Sequence, residues 1–300
     1  MFISNFLSFQ MIAMILIILP FIIVTVTSQE LENCTTCIKG NGDSCYNVSY
    51  LFDIEAPFGN NIVITKLGIL RSTNTLYFSF VPAFEDGEYY KIGFVNMDNP
   101  VNTTIMSGGK QILNFGTFDI DQDNSLVYLG GSDGVYRLDV NANILSPYSS
   151  RGDVIISIFY KGHVYFVRKG EFKIVKKKGD NFDVLLDVMA ITNFVINKYN
   201  IIVYLGTYGL FASYKTEVVW LSKNRFFRGL VVDRNDDIYA WWVDGIYKVI
   251  IGPKLTESTI VKIMHIPVIG AMTFDNNNDI IFSVDKSLFR LIKTTNTTIC

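Results

Sequence analysis

After residue 28 the chain alternates apolar and polar positions in short runs separated by turn residues, and no stretch follows a helical 3.6-residue period. Six runs share one design: a turn, an apolar–aromatic alternation, then a second aromatic. The anchor aromatics are Tyr77, Tyr128, Tyr165, Tyr204, Tyr239 and Phe282, at intervals of 51, 37, 39, 35 and 43 residues. The second aromatics are Tyr136, Phe172, Phe211, Tyr247 and Phe289, with Tyr89 or Tyr90 taking that place in the first unit. Turn signals such as Ser132-Asp133-Gly134 and Asp244-Gly245 separate the two. Four units are preceded by an apolar run that closes on Asp or Asn: Phe118–Asp121, Phe194–Asn197, Leu230–Asp233 and Met272–Asp275. Each unit therefore predicts three or four short antiparallel strands. Six such units of about forty residues predict an all-β, six-bladed β-propeller. A β-sandwich also alternates, but has no need to repeat the same double-aromatic pattern six times.

The N-terminus reads as an address. Met1–Ser28 carries no charged side chain, Met11–Val26 is almost wholly apolar, and Val26, Thr27 and Ser28 are small enough for a signal peptidase. The expectation is a signal peptide over 1–28, a Cys-rich segment over 29–50 and a single propeller over 51–300, secreted and free of the membrane after cleavage. An uncleaved anchor helix is the rival, and the apolar stretch is short for a span of about 20 residues. Four sequons, at Asn33, Asn47, Asn102 and Asn296, agree with secretion and glycosylation. The cysteines are Cys34, Cys37, Cys45 and Cys300. In an oxidising compartment this even count predicts two disulfides with three connectivities open. If both form, Cys300 pairs with the N-terminal cluster and ties the ends of the propeller together.

Composition removes several function classes. Lys and Arg number 26 against 28 Asp and Glu, a net charge of −2, so no basic excess exists to neutralise nucleic-acid phosphates. Two histidines, His163 and His265, rule out a multi-histidine metal centre. No nucleophile elbow, zinc-protease helix or phosphate loop is present, so no catalytic residue, metal or cofactor is expected. Asp119, Asp121 and Asp123 resemble the start of a calcium loop but lack its later glycine and glutamate, and read as a polar turn. Arg151-Gly152-Asp153 matches an adhesion tripeptide of a length that chance supplies. Lys176, Lys177 and Lys178 read as a solvated hairpin tip.

Six-bladed propellers of the gluconolactonase/NHL-like architecture include metal hydrolases that hold a divalent cation at one mouth of the channel. The comparable positions here, five before each strand-closing Asp or Asn, are Gly116, Thr192, Arg228 and Gly270. None is a carboxylate, and Arg228 repels a cation. An arginine there suits a carboxylate or sulfate. The candidate ligand residues are thus Arg228, Thr192, the amide neighbour Asn193, and the ring of Trp241 or Trp242. Those two tryptophans point to opposite faces of a strand, so at most one faces a given cavity, and packing between blades competes for both.

Laid out this way, the chain resembles the insect ommochrome-binding proteins. The resemblance rests on the Cys-rich start (Cys34, Cys37, Cys45), on Leu76–Phe80, on Val127–Tyr136 with its Gly130–Tyr136 run, and on Arg228–Asp233 and Asp244–Tyr247. It ends with Ser287–Leu291 and the terminal Cys300, and covers essentially the whole mature chain. It implies a secreted, non-catalytic haemolymph carrier of ommochromes such as xanthommatin or ommatin, planar anionic phenoxazinone pigments. A protein-interaction propeller and a metal-dependent lactonase-type hydrolase are the other expectations.

Overall fold

The computed structural model describes residues 38–40, 45–54, 62–82, 91–101, 103–106, 114–171, 173–188 and 190–294. The N-terminal part supplies β1 (Ile38–Lys39) and β2 (Cys45–Asp53). Blade 1 follows with β3 (Ile62–Leu70), β4 (Thr75–Pro82), β5 (Lys91–Asn96) and β6 (Thr104–Ile105). Blade 2 holds β7 (Phe115–Asp121), β8 (Leu126–Gly131), β9 (Gly134–Asp139) and β10 (Ile144–Ser149). Blade 3 holds β11 (Ile155–Tyr160), β12 (Val164–Arg168), β13 (Lys173–Lys178) and β14 (Asn181–Asp187). Blade 4 holds β15 (Asn193–Ile196), β16 (Ile202–Gly206), β17 (Gly209–Tyr214) and β18 (Glu217–Ser222). Blade 5 holds β19 (Gly229–Val232), β20 (Ile238–Trp242), β21 (Gly245–Ile250) and β22 (Thr259–Met264). Blade 6 holds β23 (Met272–Phe274), β24 (Ile280–Val284) and β25 (Ser287–Thr294).

Every sheet is antiparallel, five of them four-stranded meanders, and the first strand of every blade lines the axis, touching the first strand of the next until β23 meets β3. The fold is the six-bladed β-propeller that the repeat predicts. All six anchor aromatics fall on the second strand of their blade.

The second aromatic turns out to be two different devices. In blades 4 and 6 it lies directly opposite the anchor, giving the stacked pairs Tyr204–Phe211 at 5.2 Å and Phe282–Phe289 at 5.4 Å. In blade 1 the residue opposite Tyr77 is Phe94, 5.7 Å away; Tyr89 and Tyr90 lie outside the described residues, as does Phe172. In blades 2 and 5 the anchors face Arg137 and Lys248, while Tyr136 and Tyr247 sit one register position along. These two hydroxyls donate to Asp133 at 2.7 Å and Asp244 at 2.8 Å, so the Asp-Gly-apolar-Tyr signature is a hairpin brace. Gly134 in that brace has φ +88°, and a Cβ there would stand 2.3 Å from the Ser150 carbonyl oxygen.

Closure comes from strand exchange between the chain ends. β2 pairs along nearly all of β25, from Cys45↔Thr294 to Asp53↔Ser287, so the N-terminal strand becomes an outer strand of the last blade. This covers an edge that would otherwise stay open. Cys45 is buried and disulfide-bonded, and its partner cysteine lies outside the described residues, where Cys34, Cys37 and Cys300 all fall. The segment 1–28 and the sequons at Asn33, Asn102 and Asn296 also lie outside them. Asn47 is exposed on β2. Among the described residues no helix is long and apolar enough to cross a membrane.

Candidate functional site

The inner strands all start at one mouth of the axis and end at the other, and the two mouths differ in chemistry. At the strand-end mouth the recurring Asp or Asn is a turn cap. Asn197 Oδ1 accepts from the backbone N–H of Tyr199 and Ile201, Asp233 Oδ1 from Asn235 and Asp237, and Asp275 Oδ1 from Asn277 and Asp279. Each turn places one polar residue in the left-handed region: Asn200 at φ 60°, Asp236 at 70° and Asn278 at 65°. Asp121 caps its turn through Asp123 and Asn124, which is the polar-turn reading of the calcium-like segment.

These turns also latch neighbouring blades, and all six blade-to-blade steps carry a polar contact here. Arg71 N–H donates to Gln122 Oε1 at 3.0 Å, and Tyr160 N–H donates to Asp119 Oδ2 at 2.6 Å. Lys161 Nζ donates to Asn200 Oδ1 at 3.2 Å, and Lys198 N–H donates to Asp236 Oδ2. Arg234 N–H donates to Asn278 Oδ1 at 2.9 Å, and Asn276 Nδ2 donates to the Arg71 carbonyl at 3.3 Å. The cavity this ring encloses is only about 250 Å³.

The strand-start mouth is open. It holds a cavity of about 790 Å³ framed by Asn114, Gly116 and Thr117 of blade 2, Val154–Ser157 of blade 3, the turn Gly131–Ser132, and Lys169. That volume is in the range of sites for small organic ligands. Its described lining includes two lysines, Lys66 and Lys169, and no carboxylate. Thr65, Lys66 and Asn193 line this cavity and the narrow one beyond it, so they form the floor between the two. Lys66 Nζ donates to the Ile158 carbonyl at 3.2 Å and lies 5.5 Å from the centre of the Phe118 ring. Burial pushes its ammonium down from the usual lysine value, opposed by the charge of Asp119. Burial likewise pushes Asp119 up, opposed by Lys66 and by the Tyr160 and Ile120 N–H groups.

The residues singled out in the sequence divide between places. Gly116 lies in β7, Thr192 and Arg228 directly precede β15 and β19, and Gly270 precedes β23 by two, so the spacing rule does find the strand-start mouth. Asn193 is on the cavity floor. Thr192 is exposed and bonds the Leu205 carbonyl at 3.3 Å. Arg228 is exposed outside that cavity's lining, and its Nη1 donates across to the blade 6 side at Ile269 O, 3.1 Å away. Trp241 is a buried wedge between blades 5 and 6. Its Nε1 donates to Gly270 O at 3.1 Å, and its ring would stand 2.3 Å from a Cβ at Gly229. Trp242 stacks on Phe226 with centroids 6.2 Å apart. The structure thus joins Asn193 to the cavity and leaves Arg228, Thr192 and Trp242 on the rim. Lys66 and Lys169 were not singled out in the sequence. A readable signal for Lys66 was its position inside the largely apolar run Ile62–Leu70.

The remaining motifs are occupied structurally. Arg151 pairs with Asp133 at 3.3 Å and Asp153 with Arg168 at 3.3 Å. Lys176 and Lys178 both approach Asp183 across a hairpin. His163 and His265 are exposed, His265 Nδ1 lying 2.7 Å from the Asp244 carbonyl. Among the described residues no three His, Cys, Asp or Glu side chains converge as a metal site.

No family model matches the chain and no curated protein matches it. Solved structures match along most of its length. A gluconolactonase from Xanthomonas campestris shares 12% identity at TM-score 0.57, covering 86% of this chain and 94% of its own. A catalytically inactive virginiamycin B lyase from Staphylococcus aureus, solved with quinupristin, shares 10% at 0.55, covering 82% and 99%. PorZ, a bacterial surface component of the type-IX secretion system of Porphyromonas gingivalis, shares 14% at 0.53, covering 86% of this chain and 36% of that one. At these identities the likeness shows the fold alone.

Proposed function

We propose that this propeller is a secreted binding protein that holds a planar, anionic small molecule in the strand-start mouth without transforming it. The observation that carries the reading is the 790 Å³ cavity with Lys66 and Lys169 and no carboxylate in its described lining. An anion entering it meets positive charge at the rim and a partly desolvated donor at the floor, where electrostatic attraction is stronger than in bulk water. The pigment class, ommochromes such as xanthommatin, is supplied by the sequence resemblance. In this arrangement Lys169 and Lys66 take the part that the sequence assigns to Arg228. The test is a visible titration of the secreted protein with xanthommatin. A saturable spectral shift near one ligand per chain, weakened in Lys169→Ala, is expected; no shift with folded protein refutes the pigment assignment.

A second reading, a protein-interaction propeller, is favoured by a different surface. Tyr208 in the β16–β17 turn, Trp220 on β18 and Phe226 in the link to blade 5 are 63%, 50% and 58% exposed. Lys223 lies 5.5 Å from the Trp220 ring and Arg225 lies 5.3 Å from the Phe226 ring. Residues 218–232 contain three cations and no acid. Exposed Trp and Arg together are the commonest anchors of protein interfaces, and the charge suits an acidic partner. Arg225→Glu would abolish such binding and leave the pigment titration unchanged.

A further inference from the structure

The floor of the mouth cavity holds an amine enclosed by protein; Lys177 and Lys198 have the same kind of partners, a backbone carbonyl and a ring, but on the exposed surface. Lys66 sits where the β3–β4 register shifts between Ile64 and Lys66, so the bulge turns a charged side chain toward the axis from a strand that is otherwise largely buried. Among the described residues its Nζ has one hydrogen-bond acceptor, the Ile158 carbonyl, and an aromatic face beside it. Lys173, Lys176, Lys178, Lys248, Lys262 and Lys286 each pair with a carboxylate instead. Lys66 also shares the channel beneath the cavity with a carboxyl group, Asp119.

We propose that Lys66 is a carbonyl-capturing amine, which condenses reversibly with an anionic aromatic aldehyde seated in the mouth cavity. The inference rests on the reading of that cavity as the ligand site. The Nζ lone pair forms a C–N bond to the carbonyl carbon, and the carbonyl π pair moves to oxygen and takes up a proton. The nitrogen then loses a proton, the hydroxyl is protonated and leaves as water, and the C=N bond forms as the nitrogen gives up its second proton. One amine and one aldehyde give one imine and one water, with no oxidant or reductant. Desolvation favours the neutral, nucleophilic amine, as in other buried lysines that form Schiff bases. Solvent reaching the open mouth cavity supplies and accepts the protons of the two steps, and Asp119, in the channel below, bears on the amine through its charge. Lys169 at the rim offers the counter-charge for the ligand's anionic group.

The probe is pyridoxal 5′-phosphate, a planar anionic aromatic aldehyde, incubated with the intact secreted protein and fixed with borohydride, followed by peptide mapping. The expected result is one adduct per chain on the peptide carrying Lys66, at least tenfold over any other lysine, with an imine absorbance band before reduction. Lys66→Arg keeps a hydrogen-bond donor at the position but has no primary amine to condense, and loses both signals. Lys169→Ala slows labelling severalfold while the adduct stays on Lys66. Because the mapping is done on the unmutated protein, the result does not depend on the variant folding. Labelling spread over surface lysines, with Lys66 not enriched, overturns the proposal. If xanthommatin still shifts in that case, the cavity reading survives; if neither molecule binds, both readings fall.

Discussion

The two mouths of this propeller are built from the two ends of the same six strands, yet one is spent on closure and the other is left open. At the strand-end mouth the caps Asn197, Asp233 and Asp275 hold their own turns, and their neighbours reach across to the next blade. At the strand-start mouth Asn193 and Lys66 face a cavity, and Lys66 Nζ donates to the Ile158 carbonyl. Short hairpins with capped turns leave no room for a ligand. Blade-to-blade links, which run from an outer strand back to the axis, frame one. Loops over a rigid scaffold are where binding sites collect, and here the scaffold makes only one of its two faces available.

The largest break in this contrast comes from the seam. Removing β2, Cys45–Asp53, strips the last blade of its outer strands and exposes β25 as an unpaired edge. The expected loss exceeds about 5 kcal/mol, comparable with the whole stability of many domains, and light scattering during thermal unfolding should show aggregation. The next largest comes from the strand-end ring. Asp233 is buried and accepts from Asn235 and Asp237 in its own turn and from Asn278 Nδ2 in blade 6 at 3.1 Å. Asp233→Ala leaves those donors unmet and should cost about 2–4 kcal/mol in urea unfolding, with the affinity of the opposite mouth unchanged.

A pH experiment sharpens the contrast from the floor between the mouths. The folded chain holds Lys66 below its ordinary value of 10.5. Between that lowered value and 10.5 the unfolded chain binds the extra proton, so stability rises with pH. Asp119 is held above its ordinary 3.8, so its contribution has the opposite sign: stability falls as pH rises from 3.8 through the raised value. Unfolding free energies of the wild type and Lys66→Met, compared from neutral pH upward, should show the larger alkaline gain in the wild type, since Lys161, also lowered by burial, contributes equally to both. The smallest effect separates cavity from rim. Lys169→Ala should weaken an anionic ligand by about 1 kcal/mol, the upper end for a solvent-exposed charge, while Arg228→Ala shifts its affinity by less than twofold. The reverse order in the same titration would return the site to blade 5.

Part of this was legible in the sequence, and the division follows range. The repeat of anchor aromatics placed the second strand of every blade, because alternation along a strand is a local property. The strand-closing Asp and Asn were legible for the same reason, since an Asx turn is formed within five residues. The seam was harder. The terminal cysteines pointed to the chain ends meeting, but β2 pairing with β25 joins segments 234 or more residues apart, and nothing local in Cys45–Asp53 names its partner. The binding site was harder still. Arg228 was chosen because strand starts converge on the axis, which they do, but its guanidinium reaches Ile269 and not the cavity.

What the sequence determined by itself is therefore the number of blades, the inner and second strands, and the turn chemistry that separates them, all of it written in spacings shorter than a blade. What only the tertiary structure decided is which mouth stays open, that Lys66, Asn193 and Lys169 from three different blades meet there, and that an N-terminal strand completes the last sheet. The physical reason is that a cavity is the space left after six sheets have packed. Its shape depends on every blade at once, whereas a turn depends only on its own few residues.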